Sequence, residues 1–213
     1  MNRANALSVC IPSYNRGKLK RCLDNVIPAA KKYNWPVYVS DNYEGEAFDI
    51  SAYDYANLYY SQNDHNIGAD LNMFRVLRQA GTKFALWLGD DDVLDLSKVS
   101  TIVRYLEHMP DLLMLSEEWD KQICFEDVKN FYTQYEPNPI YFGNCIVRTD
   151  CLSTFDESKY LNSAPLHVYN IYINYYLSKL EDTRNHIHIV IDNSSVIMRN
   201  RGGAELGKKV ISK

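Results

Sequence analysis

The chain has 213 residues, with 23 Lys and Arg against 27 Asp and Glu and a formal net charge of -4. Apolar residues make up 46% and charged residues 23%, which excludes a disordered chain. The acidic balance also excludes a general nucleic-acid binder, which needs a basic excess.

Tyrosine is in surplus, 17 against 7 Phe and 3 Trp, and its flat face and polar tip suit wet clefts. No run of about 18 uncharged apolar residues is present, so no membrane-spanning helix is expected. The polar start, Met1 to Ala6, has no apolar signal core. Cys10, Cys22, Cys124, Cys145 and Cys151 form no C-x-x-C pair. Cys10 and Cys145 lie in apolar runs, which predicts buried thiols and a reducing, cytoplasmic compartment.

Leu7 to Pro12 reads as a buried strand, followed by the loop Ser13-Tyr-Asn-Arg-Gly17. Leu19, Cys22, Leu23, Val26 and Ile27 recur at helical spacing and predict a helix from Lys18 to about Lys32. Strands follow at Val37 to Val39 and Leu58 to Tyr60. After the turn-rich loop Asn63 to Gly68, a helix with Leu71, Phe74 and Leu77 inward runs to Gly81. Lys83 to Leu88 is an almost unbroken apolar strand running into Gly89-Asp-Asp-Asp92. A helix over Val93 to Met109 and a strand over Leu112 to Leu115 complete an alternating series. Such alternation predicts a parallel α/β sheet. Beyond 116 the pattern loosens: a strand at Ile140 to Val147, a short helix within Thr149 to Tyr160, and a Tyr-rich helix over Pro165 to Leu180. A strand at Ile187 to Ile191 and a basic tail from Arg199 to Lys213 follow.

Ligands of an open parallel sheet bind beyond the carboxyl ends of its strands. Pro12-Ser-Tyr-Asn-Arg16, Ser40-Asp-Asn42 and Gly89-Asp-Asp-Asp92 all sit at such ends and converge on one rim. Three adjacent carboxylates repel one another unless a cation holds them. Asp90, Asp91 and Asp92 therefore read either as oxygen ligands of Mg2+ or Mn2+ or as a solvated turn capping the helix at Val93; their place on the rim favours the metal. Asp41 is a turn residue or an acceptor for a base N–H. Tyr14 offers a stacking ring and Arg16 a cation for phosphate, unless Arg16 is simply a solvated charge. Asn66, Gly68 and Asn72 either cap and turn the chain or support a nucleotide pocket.

These ordered strings, L-S-V-C-I-P-S-Y-N-R, V-Y-V-S-D-N, N-D-H-N-I-G-A-D-L-N and F-A-L-W-L-G-D-D-D-V-L, resemble family 2 glycosyltransferases of the GT-A fold across roughly the first 95 residues. The G-D-D-D form is most similar to the bacterial, abequosyltransferase-like branch of surface polysaccharide assembly. The resemblance implies a mostly parallel sheet flanked by helices, in a catalytic domain over 1–198. Residues 1–115 would be its nucleotide-binding half, 116–198 its acceptor half and 199–213 the tail. It implies that Pro12, Ser13, Tyr14, Asn15 and Arg16 hold the nucleoside of a nucleotide-diphosphate sugar, with Asp41 on the base. Asn66, Gly68, Asn72 and Asp90 would complete the donor site. The family's D-x-D motif falls here with Gly89 in the place of its first Asp and Asp91 as main ligand, or else with Asp90-Asp-Asp92 as the motif itself.

The expected reaction moves the sugar, with inversion, to a hydroxyl of a glycan or lipid-linked glycan. Candidates for the base are His167, with a suitable intrinsic pKa, Glu117 and Glu118 after the strand at 112–115, and Asp156. Asp156 reads more simply as surface, and Glu181-Asp182 as a helix-end turn. Tyr169, Tyr172, Tyr175 and Tyr176 are an acceptor wall or core packing. The tail's Arg199, Arg201, Lys208, Lys209 and Lys213 suit either solvent or the inner face of an anionic membrane. A sugar nucleotidyltransferase and a non-catalytic nucleotide-sugar-binding module are the rival readings.

Overall fold

The computed structural model describes residues 7–115, 123–134, 145–162, 168–183, 187–192 and 196–199. In chain order these form β1 (Leu7–Ser13), α1 (Arg16–Tyr33), β2 (Val37–Asp41), β3 (Leu58–Gln62), α2 (Ala69–Leu77), β4 (Phe84–Trp87), β5 (Asp92–Leu94) and α3 (Val99–Glu107). Then come β6 (Leu112–Leu115), β7 (Ile123–Phe125), α4 (Val128–Gln134), β8 (Cys145–Arg148), α5 (Val168–Thr183), β9 (Ile189–Asp192) and β10 (Ile197–Arg199). Eight strands make one sheet in the order β3-β2-β1-β4-β8-β6-β9-β7. β1 pairs in parallel with β2 and β4, β2 with β3, and β6 with β9. β8 runs antiparallel between β4 and β6, and β7 runs antiparallel on the far edge. β5 and β10 form a separate antiparallel ribbon.

The period of two along the strands divides the core between the two faces. Leu7, Val9 and Ile11 of β1 and Phe84 and Leu86 of β4 face one side. Cys10, Ala85 and Trp87 face the other. α1 and α3 cover the first face with Leu19, Cys22, Leu23, Val26, Ile102 and Leu106. α2 and α5 cover the second with Phe74, Val76, Leu77, Tyr172, Ile173 and Tyr176. α1 begins at Asn15, whose side chain accepts the Lys18 N–H, and stops at Asn34 in the left-handed region (φ 55°). Its first turn carries no acid. Cations there oppose the helix dipole by about 0.3–1 kcal/mol each. Burial of its large aliphatic side chains, roughly 1.5–3 kcal/mol apiece, outweighs that cost.

Several expectations are corrected. The helix expected at Val93 starts only at Val99; Asp92–Leu94 is instead strand β5, because Ile197–Arg199 pairs with it and Asn25 bonds both main-chain groups of Leu94. The helix expected to end at Gly81 stops at Leu77. Gln79 and Ala80 turn back to carbonyls three residues away, and Arg78 is drawn off to the carbonyls of Leu152 and Phe155. Thr149 to Tyr160 is not a helix but two 3-10 turns, Leu152–Thr154 and Glu157–Lys159. Extended Phe155 between them anchors the segment against Phe74 and Tyr172. The short elements β7 and α4 were not expected. Arg199, assigned to the tail, belongs to β10, whereas 200–213 lie outside the described residues. Tyr169, Tyr172 and Tyr176 are core, and Tyr175 is half-buried. Among the described residues no helix is long and apolar enough to cross a membrane.

Candidate active site

β1, β2 and β4 run in parallel, so their carboxyl ends meet at one rim. One side chain joins two of these ends. The Oδ2 of Asp90, after β4, accepts the Ser13 hydroxyl at 3.0 Å and the backbone N–H groups of Tyr14 and Asn15 at 3.1 Å. Pro12 lies within β1 opposite Ser40, and the Tyr14 ring stands 57% exposed above the rim, open to a stacking partner.

Asp41 ends β2 with no exposed surface. Its Oδ1 accepts the Tyr43 N–H at 3.0 Å and its Oδ2 the Tyr60 hydroxyl at 2.8 Å. Burial, reinforced by Asp41, pushes the Tyr60 hydroxyl above its ordinary pKa, so it stays a donor. Arg16 Nη2 is 3.6 Å from the same Oδ2, and the guanidinium lies 4.3 Å over the Tyr43 ring. Arg16 Nε and Nη2 are buried without a hydrogen-bond acceptor, which leaves the fork able to bind a further oxygen. Asp41 is thus built into a group with Tyr60, Tyr43 and Arg16. Tyr43 and Tyr60 were missed because a tyrosine after or within a strand carries no distinctive pattern.

Beneath the rim lies a buried amide network. Asn72 donates to the carbonyls of Ser13 (3.2 Å) and Ser40 (2.9 Å) and accepts from Ser40 Oγ (2.6 Å) and Asn63 (3.0 Å). Asn63 also donates to Asn42 at 2.6 Å, and Asn42 donates to the Gly68 carbonyl at 3.1 Å. Asn72 therefore ties α2 to the ends of β1 and β2 rather than capping its helix. Gly68 takes φ 86° at the α2 start, a value glycine tolerates, and Asn66 accepts the Gly68 N–H in the preceding turn. Asn66 and Gly68 are exposed and shape the loop; Asn72, Asn63 and Ser40 brace the floor.

The three carboxylates are not equivalent. Asp90 holds the β1 loop, Asp92 is buried, and the Asp91 side chain is 41% exposed. Lys18 Nζ meets Asp91 Oδ2 at 3.2 Å, Arg21 Nη2 donates to the Asp91 carbonyl at 3.0 Å, and Asn25 holds Leu94. A polar edge of α1 thus grips the turn; its spacing of three and four residues was legible, but exposed polar residues of a helix ordinarily mean only solvent. A Cβ on Gly89 would lie 3.1 Å from both Asp91 Oδ1 and Asp92 Oδ2, so these two oxygens overhang the same glycine. Among the described residues no group of three or more His, Cys, Asp or Glu is placed to share one ion. A Mg2+-type ion, however, takes one or two carboxylates with water and substrate phosphates, and this pair of hard oxygens fits that chemistry.

His167, Glu117 and Glu118 lie outside the described residues. β6, which ends two residues before Glu117, reaches the same rim as β4, since both oppose β8. Buried Asp192, unmarked in the sequence, ends β9 beside Leu115 on that rim. Asp156 caps the turn at Glu157–Lys159, and Glu181 and Asp182 are exposed in the last turn of α5.

Residues 8–155 match the model of the family described as "Glycosyl transferase family 2". The chain belongs to this family. Abequosyltransferase RfbV of Salmonella typhimurium is 27% identical over 115 residues, which are 51% of this chain and 34% of that protein. S. aureus TarS 1-349 in complex with UDP-GlcNAc superposes with a TM-score of 0.62 at 18% identity, over 97% of this chain and 62% of that one. A nucleotidyl transferase from Methanothermobacter thermautotroptrophicus shares the fold too, with a TM-score of 0.52 at 14% identity over 89% of this chain and 88% of that one. The family 2 member spans about a third of RfbV in the matched region and under two thirds of the TarS chain. Its fold is the GT-A arrangement: a mostly parallel sheet between helices, with the polar rim at the strand ends.

Proposed function

We propose that this family 2 chain transfers a sugar from a nucleotide-diphosphate sugar to a hydroxyl of a glycan or lipid-linked glycan, in the assembly of a bacterial surface polysaccharide. The observation that carries this reading is the Asp90 clamp: the loop suited to the nucleoside and the turn suited to the diphosphate are joined through one carboxylate. The likeness to an abequosyltransferase and the fold shared with TarS support the donor class and the acceptor class.

Tyr14 offers its exposed ring to the base, and Arg16, fixed by Asp41 and Tyr43, offers its free N–H groups to a donor oxygen. Asp91 and Asp92 would hold a Mn2+ or Mg2+ ion, with Asp90 keeping the turn in place. The chemistry it would supply there is neutralisation of the charge developing on the leaving diphosphate. The acceptor hydroxyl attacks from the face opposite the diphosphate and inverts the anomeric centre. Its proton passes to a base drawn from His167, Glu117 and Glu118. Residues 1–115 form the donor half and 116–198 the acceptor half, in a cytoplasmic protein whose basic tail, 200–213, is either a solvated end or a contact to the inner membrane surface.

The test is a calorimetric screen of UDP-, CDP-, GDP- and dTDP-sugars with and without Mn2+, followed by product analysis. Tight binding of one donor and release of a nucleoside diphosphate support the reading. Release of pyrophosphate would instead establish the nucleotidyltransferase, the alternative favoured by the shared fold with the Methanothermobacter protein.

A further inference from the structure

We infer that Lys18 is a resident counter-cation of the carboxylate turn: it holds Asp91 until a divalent cation displaces it. The inference deepens the metal reading above and rests on it.

Three consecutive carboxylates need positive charge or donors to coexist. Asp90 Oδ2 already accepts one hydroxyl and two backbone N–H groups. Asp92 is buried within β5. Asp91 is the open carboxylate of the three, and its Oδ2 meets the Lys18 ammonium at 3.2 Å. The lysine is delivered there by construction. Asn15 accepts the Lys18 N–H and starts the helix; one turn on, Arg21 binds the Asp91 carbonyl. Asp91 is therefore held at main chain and side chain by the same helix. The two holds differ in kind: Arg21 fixes the backbone, and Lys18 occupies an oxygen suited to the ion.

The pair is built to exchange. Side chains of Lys18 and Asp91 are 47% and 41% exposed, so water screens the bond and it is weak. An ammonium on a flexible stem is a mobile point charge, unlike the two-pronged grip of a guanidinium. A cation near a helix start also opposes the helix dipole, so helix stability does not account for Lys18 in this place. Neutralising Asp91 does. Displacement by a divalent ion then leaves the ammonium free beside the turn, where an anionic donor would meet it.

The experiment measures free Mn2+ by electron paramagnetic resonance during titration of the full chain, without nucleotide and then with UDP, at low and high salt. Lys18→Met, an exposed substitution, should bind Mn2+ about two- to fivefold tighter than the wild type at low salt, the value of one exposed ion pair. The gap should narrow at high salt, and Asp91→Asn should abolish binding. Lys18→Arg keeps the charge and should stay near the wild type. Unchanged or weaker binding by Lys18→Met, with wild-type binding intact, overturns the role of Lys18 and leaves the metal reading standing. Absence of Mn2+ binding in both the wild type and Lys18→Met, with and without UDP, overturns the metal reading and this inference together.

Discussion

Ser13 and Asp90 stand 77 positions apart in the chain and share a hydrogen bond of 3.0 Å. Through it, the end of β1 is tied to the turn after β4. Asp90→Ala should therefore act differently from Asp91→Ala. Removing Asp90 strips three donors of their acceptor, and bonds to a charged group are worth roughly 1.5–3 kcal/mol when buried and less when wet. We expect a loss of about 1–2 kcal/mol in urea unfolding together with weaker UDP binding. Asp91→Ala should leave stability within about 0.5 kcal/mol, since its pair with Lys18 is exposed, yet abolish transfer, as should EDTA. Full transfer in EDTA would remove the ion from the mechanism.

Asn72→Ala should be among the most damaging substitutions in the first half of the chain. It removes four hydrogen bonds from the core, those to the Ser13 and Ser40 carbonyls and those from the Ser40 hydroxyl and the Asn63 amide, although the Ser13 carbonyl keeps the Asn42 N–H and Asn63 keeps Asn42. At about 0.5–1.5 kcal/mol for each lost bond, a total loss of about 3 kcal/mol is expected by denaturant titration. A cost below about 1 kcal/mol would mean that water replaces the amide without strain.

Arg16, Tyr43 and Gly45 form one stack. A Cβ on Gly45 would meet Tyr43 Cε1 at 2.2 Å, so Gly45→Ala must displace the ring on which Arg16 rests. Gly45→Ala and Arg16→Lys should both weaken donor binding by about tenfold while changing stability by less than about 1 kcal/mol. The effects should not add in the double variant, because both act through the seating of one guanidinium. Additive losses in calorimetry would separate the two positions.

The buried thiols set a pH limit. Burial raises Cys10 and Cys22 well above their usual value of 9.0, with the Asp90 and Asp92 charges adding to the effect on Cys22. These groups stay protonated in the folded chain while an unfolded chain would release their protons. Their contribution is therefore intact below about pH 9 and lost as pH rises beyond it. Stability measured by urea should fall between about pH 9 and 10.5, and less steeply in Cys22→Ala measured against its own neutral value. In the native protein a thiol reagent at pH 8 should modify exposed Cys124 first, with Cys10, Cys22 and Cys145 reacting only on unfolding.

The first half of the chain was legible because its signal is local. Leu7 to Pro12 and Lys83 to Leu88 are apolar runs followed at once by polar residues, and a parallel sheet brings such ends together whatever the strand order. What escaped depends on partners far along the chain. Val93 and Leu94 look like the start of a helix until Ile197 and Met198, a hundred residues on, pair with them. Asn25 and Arg21 look like any solvated helix edge until the turn they hold is in place. In the second half, Phe155 sits extended because four aromatic neighbours enclose it, a tertiary effect that overrode the local helical pattern. Of the α5 tyrosines, Tyr169, Tyr172 and Tyr176 follow the core-packing reading for the same reason: the face with most rings is the face that packs.

The antiparallel strand β8 has a consequence for how this protein can be divided. It is drawn from the second half of the chain, yet it fills the slot between β4 and β6, both from the first. Cut after residue 115, the chain would face solvent with an unpaired edge along Phe84–Trp87 next to the carboxylate turn, an invitation to pair with other molecules. Residues before and after 115 are thus not separable modules that could be expressed or exchanged one by one. The strand that completes the sheet beside the carboxylate turn arrives only with the second half of the chain, so the two halves must fold together.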